Sequence, residues 1–179
     1  SDNQSVIGIL GINIDITDVV QVQNALHKTE TASKEFSERL KSLQDVTIEL
    51  ARIEDFDEFC RKAIELGRSQ LKFERLGLWL VDPDDPNFTI GTFGTDEFGN
   101  TRDERNVRVG AMGKEDVIPN TVNMVDIHDK KIYYNPDRPL LNDQSQPVGM
   151  GWAAMGHLID GDRIIGGLST DNFFSHEPA

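Results

Sequence analysis

An α+β fold, with a long helix ahead of an antiparallel sheet, follows from three features of the sequence. Residues 18–52 contain neither glycine nor proline. "RLGLWLV" (Arg75–Val81) and "FTIGTFG" (Phe88–Gly94) are apolar runs of strand length, separated by the turn sequence "DPDDPN". Near the end, two apolar runs flank Asp160-Gly161, a strong signal for a primed hairpin turn. Helices first and a block of strands after them define an α+β arrangement rather than alternating β-α-β units.

At the front, Val6–Ile16 reads as a strand, with Gly8 and Gly11 allowing bends or close backbone approach. A lone strand satisfies neither its backbone nor its faces, and no comparable run follows until Arg75. Thr17 suits an N-cap and Asp18 the first turn of the helix that follows. Steps of three and four from Val19 meet Val22, Leu26, Thr29, Ser33, Phe36, Leu40, Leu43, Thr47 and Leu50 without a slip. That is the a/d seam of a coiled coil, weakened in its middle by hydroxyl residues. Val46, Ile48 and Ile53 widen the apolar face towards the end, so the last third is expected to pack on the downstream domain. The expectation is a parallel homodimer through the seam.

A second helix is read from about Asp55 to Leu71, with Phe56, Phe59, Cys60, Ala63, Ile64 and Leu66 largely on one side and Asp55 as cap. Leu76, Leu78 and Leu80 alternate with Gly77, Trp79 and Val81, so both faces of that strand are apolar, as in a central strand. "TDEFGNTRDER" reads as a polar loop or long hairpin. Residues 107–149 read as irregular, holding the short strands "VNMVDI" and "KIYYN" and a helical turn near Gly113–Val117. The closing hairpin runs from Gly151 to Phe174.

Composition limits the function classes. The 179 residues carry 31 acidic and 18 basic side chains, a formal charge of -13. Nucleic acid and anionic membrane surfaces are not expected partners, since both need clustered Lys and Arg. No apolar run reaches the length of a membrane span, and no basic cluster marks a signal peptide. A cytoplasmic location is expected, with a larger parent protein free to be membrane-anchored. The single cysteine, Cys60, rules out an internal disulfide and reads as a buried, inert thiol on the second helix.

No nucleophile elbow, phosphate loop or dinucleotide fingerprint appears, so no catalytic residues, metal or obligatory cofactor are expected. In "VDIHDKK", Asp126 and His128 share a face if extended, but a third metal ligand is missing. In "FFSHEP", Pro178 directly after Glu177 disfavours a helix through His176 and with it a kinase phosphoacceptor.

Two resemblances organise these pieces. "IGILGINIDITDVVQVQNAL" (Ile7–Leu26) resembles the last strand and exit of a PAS domain, with Asp15, Ile16 and Thr17 matching that family's junction. It implies that residues 1–17 are the closing edge of an upstream sensor module and that 18–44 are a coiled-coil signalling helix. "LQDVTIELARIEDFDEFCRKAIELG", "RLGLWLVD" and "GWAAMGHLIDGDRIIGGLSTDN" resemble a GAF domain, over residues 45–179. The resemblance implies an antiparallel sheet of five or six strands with helices on both faces. It also implies terminal helices that join a dimer bundle, of which the C-terminal one is expected to be lacking in residues 45–179.

The function so implied is that of a regulatory, sensory module in a bacterial signal-transduction protein, relaying conformational change to an output such as a histidine kinase or nucleotide cyclase. The alternative is a sensor binding a small molecule in a pocket over the sheet, with Trp79, Tyr133, Tyr134, Trp152 and His157 as candidate lining. The cyclic-nucleotide signature of some GAF domains is absent. Cys60 on an early helix disfavours a bilin, and one cysteine disfavours a methionine sulfoxide reductase.

Overall fold

The structure is a computed structural model, and it describes residues 17–110, 123–127 and 130–177. The strand read at Val6–Ile16, the turn near Gly113 and the His128–Asp129 pair lie outside these residues. The chain divides into two compact units, Ser1–Lys41 and Ser42–Ala179.

Helix α1 spans Thr17–Leu50. Without Gly or Pro, its backbone ladder is unbroken, and its hydroxyl residues turn inward to the preceding turn. Thr31, Ser37 and Thr47 donate to the carbonyls of His27, Ser33 and Leu43 at 2.9, 2.9 and 2.8 Å. The seam residues Leu26, Phe36, Leu40 and Leu43 are 50–62% exposed, whereas Val46, near the helix end, is 5% exposed.

Helix α2 spans Phe56–Ser69. Asp55 caps it, its carboxylate accepting the Glu58 N–H at 2.8 Å, and Asp57 and Glu58 complement the dipole. Its apolar stripe supplies Cys60 and Ile64 to the core, packed with Leu76 and Leu78 and bordered by Phe59, Phe73, Phe93, Leu158 and Leu168. The helix sits close to the sheet because of Gly67, where a Cβ would lie 2.4 Å from the Leu76 Cδ1.

The sheet is antiparallel throughout, built of β1 (Arg75–Val81), β2 (Phe88–Thr95), β3 (Thr101–Asp103), β4 (Arg108–Gly110), β5 (Asn123–Ile127), β6 (Lys130–Leu141), β7 (Pro147–Asp160) and β8 (Arg163–Asp171). The order is β3-β2-β1-β8-β7-β6-β5, with β4 also on β2. The α+β class and antiparallel sheet expected from the sequence are thus present. Among the described residues the strand number rises to eight because two three-residue ladders, β3 and β4, share the outer side of β2.

The closing hairpin is formed, with Asp160 paired to Arg163. Its two loop residues are Gly161 and Asp162, one position later than a turn centred on Asp160-Gly161. Gly161 has φ +57°, which a side-chain-bearing residue adopts at a cost, and glycine at the first central position is what a type II′ turn requires.

Among its described residues, the region read as irregular is largely strand: the two short strands expected at "VNMVDI" and "KIYYN" are present in β5 and β6. β6 runs on through Pro136 and Pro139 to Leu141, and β7 begins at Pro147. Prolines mask a strand because they remove ladder donors. Here Pro136 falls within the register shift between Asn135 and Arg138, where pairing is interrupted anyway.

The register divides the sheet into two faces. Leu76, Leu78 and Leu168 point towards α2. Their alternate neighbours point the other way: Trp79 on β1, Ser169 on β8, Met155 on β7 and Tyr133 on β6.

Candidate functional site

A cavity of about 610 Å³ lies over the face of the sheet opposite α2. Its floor is set by the register: Trp79, Ser169, Met155 and Tyr133 lie on consecutive strands of one face. One wall comes from Val107 and Val109 around β4, another from the end of β6 and the β6–β7 turn. This size suits a small molecule, and apolar walls with a few fixed polar groups are the usual character of such sites.

Most of the charge at the rim is internally matched. Arg75 binds Asp171 through both carboxylate oxygens, with Nε at 2.9 and 3.1 Å and Nη2 at 2.5 Å, and donates to the Leu141 carbonyl at 2.8 Å. Its guanidinium carbon also stands 4.1 Å from the centre of the Phe173 ring. Arg102 bridges Glu104 at 2.6 Å and Asp143 at 2.7 Å. Burial works against its charge, but the two carboxylates outweigh it and raise the pKa of the guanidinium. Asp103 is held at about 2 by its side-chain hydrogen bonds from Arg105 and the Arg105 N–H.

Arg138 differs. It also lines the cavity and is half-buried, yet among the described residues it has no ion-pair partner.

The five residues singled out from sequence are divided by the pleat. Trp79 and Tyr133 line the cavity. Trp79 donates its indole N–H to Ser169 Oγ at 3.1 Å, which fixes its ring. His157 stands edge-on to Tyr133, with ring centres 5.3 Å apart, on the same face. Tyr134 and Trp152 belong to the other face, with ring centres 6.3 Å apart. Trp152 donates to the Glu177 carbonyl at 3.0 Å and so ties down the C-terminal segment. His176 is outside any helix, at φ +55°, with Nδ1 3.1 Å from the Met150 carbonyl oxygen.

The arginines and Met155 carry no local mark of a site in the sequence, whereas aromatic residues in strands do. For the β8 side of the cavity the hairpin does hold a signal: with Asp160 near its tip, alternate positions of β8 place Ser169 and Asp171 on the Trp79 face. Cys60 lies on the α2 side, 1% exposed, and burial pushes its thiol pKa up, which suppresses the nucleophilic thiolate. Among the described residues, no group of three metal-ligating side chains is present.

No family model matches the chain, and no curated protein matches it. Solved structures do. The phycoerythrobilin-bound GAF domain of a cyanobacterial phytochrome shares 10% identity, over 79% of this chain and 82% of that chain, at a TM-score of 0.46. The chromophore-binding domain of an unusual bacteriophytochrome from R. palustris shares 15% identity, over 76% of this chain, at a TM-score of 0.44. This chain spans 53% of the length of the latter. Both scores are low, so the fold description rests on the strand order and register above.

Proposed function

We propose that the chain is a regulatory, sensory module of a signal-transduction protein, GAF-like in its sheet domain, and that α1 relays conformational change as one half of a parallel dimeric helix. The observation that supports it is the unpartnered seam on α1. Leu26, Phe36, Leu40 and Leu43 are 50–62% exposed at strict heptad spacing. Burying one such side chain is worth about 1.5–3 kcal/mol. A second copy of the same helix covers all four at once, and parallel pairing sets like positions against each other. Thr29 and Ser33 keep the pairing marginal, so that alternative registers lie close in free energy, as a switching element requires. The upstream PAS element, the output domain and the absence of enzyme activity belong to the same reading.

Sedimentation velocity at tens of micromolar tests the dimer. The wild type is expected to sediment as a dimer and Leu40→Asp as a monomer. Oxidation of Ser33→Cys is expected to give a cross-linked dimer if the helices are parallel. A monomeric wild type, or indifference to Leu40→Asp, rejects the seam.

The cavity favours a second reading, in which the sheet domain itself binds a small molecule. Thermal-shift measurements against small-molecule mixtures, on wild type and a cavity-filling Ala153→Trp variant, test it: stabilisation is expected in the former only.

A further inference from the structure

We infer that the cavity takes a ring-bearing molecule with a single anionic head group, and that Arg138 supplies the opposing charge. The inference rests on the small-molecule reading and adds the ligand class to it.

The argument begins with charge. Of the cavity's three lining arginines, Arg75 is matched by Asp171 and Arg102 by Glu104 and Asp143. Both are already held in fixed geometry. Arg138 alone of the three has no ion-pair partner among the described residues, although it is half-buried at the cavity wall. A partly desolvated charge without a counterion is unfavourable, and an anion brought in by a ligand removes that cost. The guanidinium fork fits a planar carboxylate or a tetrahedral anion through two parallel hydrogen bonds.

The number of charges on the ligand is set by the rest of the rim. Asp103, Glu104, Asp143 and Asp171 also line the cavity. These are taken up by Arg75, Arg102 and Arg105, which leaves no second arginine among the described residues at the wall for another negative charge, so one anionic group is the favoured number. The body of the ligand is set by the floor. Trp79, Tyr133 and Met155 offer two aromatic surfaces and a polarizable thioether, which match a ring system better than a sugar or a polar chain.

A matched pair of dyes isolates the charge. Anilinonaphthalene sulfonate and phenylnaphthylamine share one ring body, and only the first carries a sulfonate. Both are titrated by fluorescence against the full chain. The sulfonate is expected to bind at least about tenfold more tightly, a difference of about 1.4 kcal/mol. Arg138→Gln is expected to erase that preference and leave the affinity of the neutral dye unchanged, while Arg138→Lys retains part of it. Energy transfer to the dye that falls in Trp79→Phe locates it in the cavity without crowding it, and circular dichroism confirms that each variant is folded.

Equal affinity for the two dyes, or a preference that survives Arg138→Gln, overturns the assignment of Arg138 and leaves the small-molecule reading standing. If neither dye shows transfer from Trp79, the cavity is not a binding site and both readings fall together.

Discussion

Gly166 and Gly156 sit on neighbouring strands and are separated by what surrounds them. A Cβ on Gly166 would stand 2.2 Å from the Trp79 carbonyl oxygen, a backbone atom that has no rotamer with which to give way. A Cβ on Gly156 meets nothing within 4 Å. Gly166→Ala is therefore expected to lose about 1–3 kcal/mol, as overpacking does. Gly156→Ala is expected to be neutral or to gain about 0.5–1 kcal/mol from reduced backbone freedom in the unfolded chain. Urea midpoints of the two variants check this; equal destabilisation would mean the sheet is spaced differently.

Glu74 carries a pH dependence at the same scale. Burial pushes its carboxyl up, but hydrogen bonds from the Ser175 side chain and the N–H groups of Ser175 and Phe174, with the charge of His176, outweigh it and lower the pKa. The two backbone bonds are 2.9 Å each. A folded pKa below the unfolded one means that the contribution is present above the ordinary glutamate value of about 4.3 and is lost as pH falls below it. Asp103, at about 2, follows the same sign, losing its contribution between the ordinary aspartate value of about 3.9 and about 2. Because the segment after Glu74's partners holds the Trp152 indole, tryptophan emission is expected to shift as pH falls below the ordinary glutamate value of about 4.3. In Glu74→Gln the shift is expected to be present at neutral pH and to change little with acid.

At the scale of elements, helix ends and seams make the clearest predictions. Asp55→Ala removes the cap of α2 and is expected to cost about 1 kcal/mol in urea denaturation. Ser33→Leu fills a weak seam position of α1 and is expected to tighten the dimer at least about tenfold, since one buried Leu is worth about 1.5–3 kcal/mol. A dissociation constant unmoved by Ser33→Leu would place the interface elsewhere.

Elements were also where the sequence was most and least readable. Both helices and the β7–β8 hairpin were legible because each announces itself locally: a glycine-free run, a capped amphipathic stripe, a turn dipeptide between apolar strands. β6 was legible only as far as "KIYYN": beyond Asn135, Pro136 and Pro139 carry the signature of a loop, and only the register shift beside β7 reconciles them with a strand. The cavity was half legible. Trp79 and Tyr133 stood out as aromatics in strands, but Tyr134 and Trp152 stood out equally. Only the pairing of Tyr134 with Ala154, and of Tyr133 with Met155, decides which ring faces which side. Arg138 carried no local signal, because what distinguishes it is the matching of Arg75 and Arg102 by carboxylates remote in sequence.

For the molecule as a whole, the division at Lys41–Ser42 separates the segment that carries most of α1 from a unit with its own core. A chain of residues 42–179 is expected to fold cooperatively by itself and to be monomeric, while retaining any small molecule bound in the cavity. Calorimetry and sedimentation of that truncation check this; a dimeric truncation would move the association surface to the sheet domain. The formal charge of -13 works in the same direction, since self-repulsion discourages association except where an apolar seam overcomes it.

The sole thiol offers a clock. Cys60 is 1% exposed on the sheet-facing side of α2, and no other cysteine competes for reagent. Its alkylation must wait for α2 to lift from the sheet, so the labelling rate under native conditions reads the opening free energy of that helix, residue by residue invisible to a melting curve. If whatever occupies the cavity on the far face stiffens the sheet, Cys60 will alkylate more slowly when the site is filled, and one mass spectrum taken over time will register an event on the other side of the protein.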